Sequence, residues 1–447
     1  MRERCKGSNP ILSGALLFCA ALLSGCSEEV VPEKYQPTDA HDAYRHALQE
    51  AGLSATALGR DWMKAASNAI EQATAVEAPF QEALYIDPAT AFAAGYRFPV
   101  QQGQRIELDA QLQGASAGRL FIDLFRVVED SEPVQVASAP EDDPGLEFEP
   151  RRDGEYIVRL QSELLRGGQL TVTIIHKASL EFPVAGHSVR SIQSGFGATR
   201  DGGRRQHHGV DIFAARHTPV LAPSRAYVSR VGERGLGGRV VWLRDQKRSL
   251  SLYFAHLQTQ SVEEGSWVNP GDQIGTVGNS GNARTTPPHL HFGIYMRGRG
   301  PLDPESFIRQ PRLKPSDITV SLDLLGKWSR SSVSSEPIYG TPDRRAETIF
   351  VADRYTPMKV VGGTAGYYRV SLPDGTCGFV RARAVELAAQ PIGSRRLATD
   401  QALLSRPSSG ASSKGNLAPG LELQVLGSFQ SYEWVQAPGG NTGWLAP

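Results

Sequence analysis

The stretch TTPPHLHFGIY, residues 285–295, places two histidines two positions apart, behind two prolines and ahead of an apolar run. In an extended strand, side chains i and i+2 lie on the same face. His289 and His291 would then point the same way, and the leucine and phenylalanine that follow them would lie on the other face. Two imidazoles directed into one space indicate a metal site, a catalytic pair or both. A surface strand with two solvated histidines is the alternative, so the rest of the chain must decide.

The overall composition sets the class of protein. A length of 447 residues exceeds one domain, because about 150 residues per domain gives about three domains. Hydrophobic residues make up 40% of the chain and charged residues 21%, as in ordinary globular domains. Lys and Arg total 47, against 47 for Asp and Glu. This balance argues against a nucleic-acid partner, which requires a strongly basic domain.

The N-terminus predicts export and a membrane anchor. Residues 1–25 have a basic start and a short apolar core, which is typical of a signal peptide and too short to span a bilayer. The sequence LSGC, residues 23–26, resembles the bacterial lipobox, so Cys26 is expected to be acylated. Ser27 resembles the sorting signal for the outer membrane. We therefore expect an outer-membrane lipoprotein that faces the periplasm, with an ordinary signal peptide as the alternative.

The cysteines restrict the possible metal ligands. The chain has four: Cys5, Cys19, Cys26 and Cys377. The first two would leave with the signal peptide and the third would carry lipid, so Cys377 has no partner for a disulfide. A single thiol cannot build a cysteine metal site, and any metal must therefore be bound by histidine and carboxylate.

Changes in residue pattern divide the chain into segments of a mainly β, multidomain protein. Apolar spacing of three and four predicts helices after a polar tether, with Gly52 and Gly59 dividing them. Period-2 alternation then predicts short strands in a β-sandwich. The expected segments are 1–25 signal peptide, 26–79 tether and helices, 80–180 jelly-roll-like sandwich, 181–312 histidine-rich domain, and 313–390 and 391–447 small β-barrels.

The histidine-rich domain contains three stretches with chemical potential. Six of the ten histidines lie between positions 207 and 291. A catalytic zinc uses about three nitrogen or oxygen ligands and keeps one position open for water, whose pKa it lowers towards about 7. One acid and two histidines would supply such a site, and two more histidines could move protons. The available residues are His207, Asp211, His256, His289 and His291, with His208 as a spare.

Together these stretches resemble the LytM/lysostaphin-type zinc metalloendopeptidases, which cleave peptide cross-links in bacterial cell walls. The sequences HHGVDIFA, YFAHL, VNPGDQIGTVGNSGNA and PPHLHFGI carry the resemblance, within residues 191–304. It implies a duplicated hybrid motif fold with an antiparallel β-sheet and one Zn²⁺ ion. It also implies a role for each residue: zinc ligands His207, Asp211 and His291, general base His289, and His256 holding the water or the developing oxyanion.

Two further features concern the substrate groove and the C-terminal segments. The usual Ser-Thr-Gly before the last motif is replaced by NARTTPP, residues 282–288, beside the substrate groove. Thr286 is therefore expected to line that groove. Arg200, in FGATRDGG, residues 196–203, is expected either to line the groove or to be a solvated loop residue. The two C-terminal segments look like tandem bacterial SH3-like domains.

The predicted function is hydrolysis of peptidoglycan peptide cross-links, with stem peptides as the substrate and the D-alanyl-diaminopimelate bond as the specific expectation. The alternative is a regulatory or adaptor lipoprotein, since degenerate relatives of this fold activate amidases without catalysis. The ligand set distinguishes them, because a degenerate relative lacks zinc ligands. The complete set of His207, Asp211 and His291 favours an enzyme.

Overall fold

The computed structural model describes residues 35–140, 143–311 and 314–447. The expected signal peptide and Cys26 lie outside these residues. The prediction of a mainly β protein is confirmed, because strands far outnumber helices in the described ranges. Within the same ranges, no helix combines the length and the apolar character needed to cross a bilayer.

Two helices open the described chain. They are α1, Ala40–Glu50, and α2, Ala57–Glu71. The break between them contains Gly52, whose φ of 69° lies in the left-handed region that favours glycine. Gly59 was expected to break the helical run as well, and this was wrong, because it lies inside α2. A Cβ there would lie 2.1 Å from the carbonyl oxygen of Leu53, so close packing is what requires glycine.

A β-sandwich follows the helices. Its strands are β1 Thr74–Ala75, β2 Phe80–Ile86, β3 Ala93–Val100, β4 Gln104–Gln113, β5 Leu120–Val128, β6 Ser131–Ser138, β7 Gly145–Phe148, β8 Gly154–Ser162 and β9 Gly168–Ala178. One sheet has the order β1-β3-β8-β5-β6, and the other contains β2-β9-β4-β7. Alternate residues of β9 are buried, as expected for a strand with one face on a core. Tyr96 and Phe98 from one sheet share that core with Leu170 and Val172 from the other.

The histidine-rich domain is built around a central antiparallel sheet. Its strands are β10 Ile192–Ser194, β11 Thr199–Arg200, β12 Arg205–Gln206, β13 Val210–Phe213, β14 Pro219–Leu221, β15 Ala226–Arg234, β16 Gly238–Asp245, β17 Leu250–Ala255, β18 Leu257–Gln260, β19 Trp267–Val268, β20 Gln273–Val277, β21 His289–Met296 and β22 Gly300–Leu302. The short helix α3, Glu305–Ile308, closes the domain. The central sheet has the order β10-β13-β21-β17-β16-β15-β19, with β22 paired to β21. Leu290 and Phe292 of β21 are fully buried, which confirms that the two histidines beside them share the opposite face.

The C-terminal segments add two further groups of strands. They are β23 Trp328–Ser331, β24 Glu336–Tyr339, β25 Thr348–Ala352, β26 Pro357–Gly363, β27 Tyr367–Ser371, β28 Cys377–Arg381, β29 Val385–Leu387, β30 Gly393–Arg396, β31 Gln401–Leu404, β32 Ser413–Leu417, β33 Glu422–Phe429, β34 Tyr432–Gln436 and β35 Thr442–Leu445. The last six form one sheet, in the order β30-β33-β34-β35-β31-β32.

The first C-terminal group is joined to the sandwich by a continuous sheet. Strand β26 pairs with β2, where Ala83 lies opposite Gly363. Behind this junction, Arg369 donates to both carboxylate oxygens of Glu82, at 2.8 and 2.7 Å. The Tyr96 hydroxyl donates to the same carboxylate at 2.7 Å. A buried charge destabilises the fold once its partner is lost. The Glu82–Arg369 pair therefore holds the first C-terminal group against the sandwich.

Polar contacts also join the sandwich to the histidine-rich domain. The Arg248 guanidinium donates to the Glu149 carboxylate at 2.8 Å. The Leu180 amide donates to the Phe307 carbonyl at 3.0 Å. These contacts hold the histidine-rich domain against the sandwich.

Candidate active site

The central sheet brings the acid and one histidine together. Asp211 on β13 lies directly opposite His291 on the neighbouring antiparallel strand β21. Cross-strand partners of this kind have Cβ atoms about 5 Å apart, so their side chains meet on one face. His207 stands just before β13, where its amide donates to the Ala198 carbonyl at 2.9 Å. That hydrogen bond turns the chain so that the His207 ring reaches the other two side chains.

Glycine is required at position 209, between His207 and Asp211. A Cβ at Gly209 would lie 2.4 Å from the Phe292 carbonyl oxygen and 2.9 Å from the His291 ring. Any side chain there would displace that ring. The spacing His-x-Gly-x-Asp in the sequence therefore has a packing reason.

Three side-chain atoms form a close triangle. The Oδ1 atom of Asp211 lies 3.0 Å from His207 Nε2 and 3.0 Å from His291 Nδ1. The two nitrogens are 2.9 Å apart. Ligands placed about 2.0–2.1 Å from a tetrahedral zinc would be separated by about 3.3 Å. The three atoms therefore match the donor set and size of a zinc site.

Proton counting supports a cation at this triangle. The carbonyl of Gly195 lies 2.9 Å from His207 Nδ1 and can only accept, so Nδ1 carries the proton and Nε2 presents its lone pair. The Asp211 carboxylate also accepts. At most one proton, on His291 Nδ1, is then available to three mutually close acceptors when the rings are neutral. A metal ion satisfies all three at once.

Comparison with known proteins agrees with this geometry. The model of Peptidase family M23 matches residues 205–304. These residues form an M23-type peptidase domain. The chain is 38% identical over 122 residues to the L-Ala--D-Glu endopeptidase of Bacillus subtilis, covering 26% of this chain and 37% of that protein. It is 32% identical over 126 residues to the peptidoglycan DD-endopeptidase ShyC of Vibrio cholerae, covering 27% of this chain and 28% of that protein.

One solved structure is similar to part of the chain. The catalytic domain of the antimicrobial peptidase lysostaphin from Staphylococcus simulans is 29% identical, with a TM-score of 0.25, and the match covers 27% of this chain and 93% of that one. The chain spans 37% and 28% of the two curated relatives above. The chain thus covers well under two thirds of either curated relative.

Two more histidines complete the groove of the M23-type domain. His289 and His256 are both buried, and their ring centres are 5.0 Å apart. His289 Nδ1 lies 3.0 Å from the Pro287 carbonyl, and His256 Nδ1 lies 2.9 Å from the Ser280 carbonyl. Each Nδ1 is therefore the donor, and each Nε2 is left as an acceptor. Both line a groove of about 560 Å³ with the three triangle residues.

The backbone at His256 is unusual. Its φ is 62°, in the left-handed region that few residues other than glycine adopt. This conformation directly follows β17, and the His256 amide donates to the Gly237 carbonyl at 2.8 Å. Such strained positions persist where the surrounding structure holds them, often at functional sites.

The electrostatics keep the site ready to accept protons or a cation. Burial, with a smaller contribution from His289, lowers the pKa of His256 to about 4. Burial also lowers the pKa of His291, although Asp211 opposes this. Burial disfavours ionisation of Asp211, but the neighbouring His207 and His291 rings outweigh burial and hold the pKa of this carboxyl well below its usual range. At neutral pH the carboxylate is charged and His256 and His291 are neutral.

The remaining sequence-predicted residues are also close. The exposed His208 takes no part in the triangle. Thr286 lines the groove, and its hydroxyl donates to the Ala283 carbonyl at 2.8 Å. Arg200 lines it too, but its guanidinium is bound to Asp211. Sequence reasoning missed the three main-chain carbonyls that orient the histidine rings, because any residue type supplies a carbonyl.

Proposed function

We propose that the chain is a zinc metalloendopeptidase that hydrolyses peptide cross-links of peptidoglycan. One observation carries the proposal. The acceptor atoms of His207, Asp211 and His291 lie about 3 Å from one another, beside two histidines whose Nδ1 atoms are fixed by carbonyls. The arrangement offers a site for a cation and two proton acceptors next to it.

The three triangle atoms would hold the zinc: His207 Nε2, Asp211 Oδ1 and His291 Nδ1. When bound, zinc lowers the pKa of a water molecule and polarises a carbonyl oxygen. The Asp211 carboxylate contributes the single negative charge of the ligand set. The carbonyl of Gly195 fixes the tautomer of His207 and so keeps its ligating nitrogen unprotonated.

His289 is proposed as the general base. Its Nδ1–H donates to the Pro287 carbonyl, which leaves Nε2 free to take a proton from the attacking water. The ring stacks on Phe213, with centroids 4.9 Å apart and planes 24° apart, and is thereby held in one orientation. As the tetrahedral intermediate collapses and its C–N bond breaks, the same nitrogen can deliver the proton to the leaving amine.

His256 is proposed to orient the attacking water. Its Nε2 accepts, because Nδ1–H is donated to the Ser280 carbonyl. Since burial lowers the pKa of this ring to about 4, it is neutral at pH 7 and has no proton on Nε2 to donate to an oxyanion. Of the two roles expected for His256, holding the water therefore has the better support.

The substrate is proposed to be a pair of cross-linked stem peptides, cut at the D-alanyl-diaminopimelate bond. The names of the two curated relatives specify different bonds, L-Ala–D-Glu in one and a DD-bond in the other. An enzyme anchored in the outer membrane would meet direct cross-links between stem peptides, which favours the second.

The flanking regions are proposed to place the enzyme at the cell wall. An acylated Cys26 would anchor it in the outer membrane, facing the periplasm. Residues 313–390 and 391–447 are proposed to be SH3-like domains, and 80–180 a jelly-roll-like sandwich. Docking of the SH3-like pair on wall peptides would raise the local substrate concentration. The sheet shared by β2 and β26 supports a fixed rather than a swinging arrangement of the first of these domains.

Digestion of purified muropeptide dimers tests the proposal. The whole chain is incubated with them, with and without a chelator, and the products are identified by mass spectrometry. We expect metal-dependent conversion to monomers with a new D-alanine carboxyl end. His207→Ala should lose zinc and activity, and His208→Ala should keep its zinc, because His208 lies outside the triangle. Chelator-resistant hydrolysis, or a zinc-loaded protein that leaves dimers intact, would contradict the proposal.

A further inference from the structure

Arg200 occupies the side of the Asp211 carboxylate that faces away from the triangle. Its Nη2 donates to Asp211 Oδ2 at 2.6 Å and to Ser194 Oγ at 2.7 Å. Asp211 Oδ1 faces His207 and His291 instead. Each oxygen of this carboxylate therefore has its own partners. Oδ2 binds the Arg200 guanidinium, and Oδ1 faces the two histidines of the triangle.

We propose that Arg200 is a positioning residue for the ligating carboxylate, and that it does not contact substrate. This inference rests on the proposed function, because it assigns Asp211 to a metal site. By holding Oδ2, Arg200 leaves only Oδ1 available as a ligand. The sequence-based expectation that Arg200 lines the substrate groove then describes its location but not its role.

The physical reason lies in the symmetry of a carboxylate. The terminal torsion of Asp is broad and roughly two-fold, so an unrestrained side chain could present either oxygen, or both. A carboxylate bound through both oxygens would take up the position that a catalytic zinc site keeps open for water. A charged hydrogen bond of 2.6 Å to Oδ2 removes that freedom.

Arg200 also connects Asp211 to the segment that carries His207. It lies on β11, which pairs with β12 in a hairpin just before His207. The His207 amide donates to the Ala198 carbonyl, and Ser194 lies opposite Asp211 in the sheet. One guanidinium thus bridges the hairpin, β10 and β13, the elements around two of the three proposed ligands.

The effect is expected in metal binding rather than in folding stability. About a third of the Arg200 side chain is exposed, at 34%, and partly exposed ion pairs contribute little to unfolding free energy. Partners of metal ligands, by contrast, typically change metal affinity or activity by about 10- to 100-fold when removed. We therefore expect Arg200 to behave as a partner of a metal ligand, so that its removal changes zinc affinity.

Zinc titration of purified full chain tests this inference without any substrate. The dissociation constant for zinc is measured by competition with a chromophoric chelator for wild type, Arg200→Ala and Arg200→Lys. We expect Arg200→Ala to weaken zinc binding about 10-fold or more and Arg200→Lys to recover part of the loss. Arg309→Ala is the matched control, because it removes an ion pair with Glu305 on α3, elsewhere in the domain. It should leave zinc affinity unchanged.

Steady-state hydrolysis of muropeptide dimers separates positioning from substrate contact. At saturating zinc, Arg200→Ala should lower kcat and leave KM unchanged. A raised KM with wild-type zinc affinity would overturn the inference and make Arg200 a substrate contact. If Arg200→Ala unfolds, Ser194→Ala tests the same network, because it removes the hydroxyl that the guanidinium binds beside Asp211; unchanged zinc binding in that variant would then overturn the inference.

The two proposals fail in different ways. If wild type binds zinc and Arg200→Ala binds it equally well, only the role of Arg200 is lost. If wild type itself binds no zinc, the proposed function is lost and the role of Arg200 with it.

Discussion

Buried histidines occur in two regions of the molecule, and they are used differently. In the sandwich and its docked helices, burial lowers the pKa values of His41 and His176 to about 4. In the groove, burial does the same to His256. Burial and a depressed pKa therefore do not distinguish a structural histidine from a proposed catalytic one.

The hydrogen-bond partners do distinguish them. His41 Nε2 meets the Gln161 side chain at 2.8 Å, and its ring stacks on Trp62. His176 packs beside Phe98, and its Nε2 has no hydrogen-bond partner in the described part of the chain. In the groove, three histidine rings are instead fixed by main-chain carbonyls at Nδ1, and their second nitrogens remain open to shared space: His207, His256 and His289. In the groove, rings that are held in one orientation and directed into one shared space indicate a functional role.

The largest expected effect comes from removing the proposed base. His289→Ala should keep its zinc, because His289 lies outside the triangle, but should lose turnover by about 10²- to 10⁴-fold, the usual contribution of a general base. Zinc content by atomic absorption and kcat with muropeptide dimers measure the two properties. A variant with near-normal kcat would remove His289 from this role.

The matched control comes from the sandwich. His176→Leu replaces a buried histidine that has no part in the groove. Its kcat and zinc content should equal those of wild type under conditions where the variant is folded. A similar loss of kcat in both variants would mean that the loss in His289→Ala comes from damage to the fold and not from the missing base.

The groove could be predicted from sequence to an unusual extent. The alternation of β21 fixes His289 and His291 on one face, and Gly209 is explained by the approach of the His291 ring. The resemblance supplied which three side chains meet, and the structure brings the same three together. Local pattern was sufficient for His289 and His291 because both lie on the regular strand β21.

Other features depend on long-range packing that no local pattern contains. The pairing of β2 with β26 joins residues about 280 positions apart, and alternation in either strand does not specify its partner. The contact of Arg200 with Asp211 depends on how a hairpin folds back over β13. The segment boundaries and SH3-like character assigned to the C-terminal region remain predictions.

Acid should destabilise the sandwich through its buried histidines. Each of these rings has a folded pKa near 4 against an ordinary value of 6.5. Below pH 6.5 the unfolded chain binds protons that the folded chain does not, so stability falls as pH drops from 6.5 to 4 and then levels off. A difference of about 2.5 units corresponds to about 3 kcal/mol per histidine at pH 4.

Urea unfolding of the metal-free chain at several pH values checks this prediction. His176→Leu should lose less stability between pH 6.5 and 4 than wild type, by about 3 kcal/mol. Replacing the exposed His208 is the control and should leave the pH dependence unchanged. An identical acid loss in His176→Leu would show that this ring is not kept neutral by the fold.

The smallest expected effect is the stabilisation of the fold by zinc, which should depend on the groove and not on the sandwich. A ligand that binds only the folded chain stabilises it by about 2.7 kcal/mol at 100 times its dissociation constant. Zinc should therefore raise the unfolding temperature of wild type and of His176→Leu, but not of Asp211→Ala, which lacks the carboxylate at the centre of the triangle. Differential scanning calorimetry with and without zinc measures the shift. A shift that persists in Asp211→Ala would place the stabilising ion elsewhere, and the convergence of the groove histidines would then no longer distinguish them from those of the sandwich.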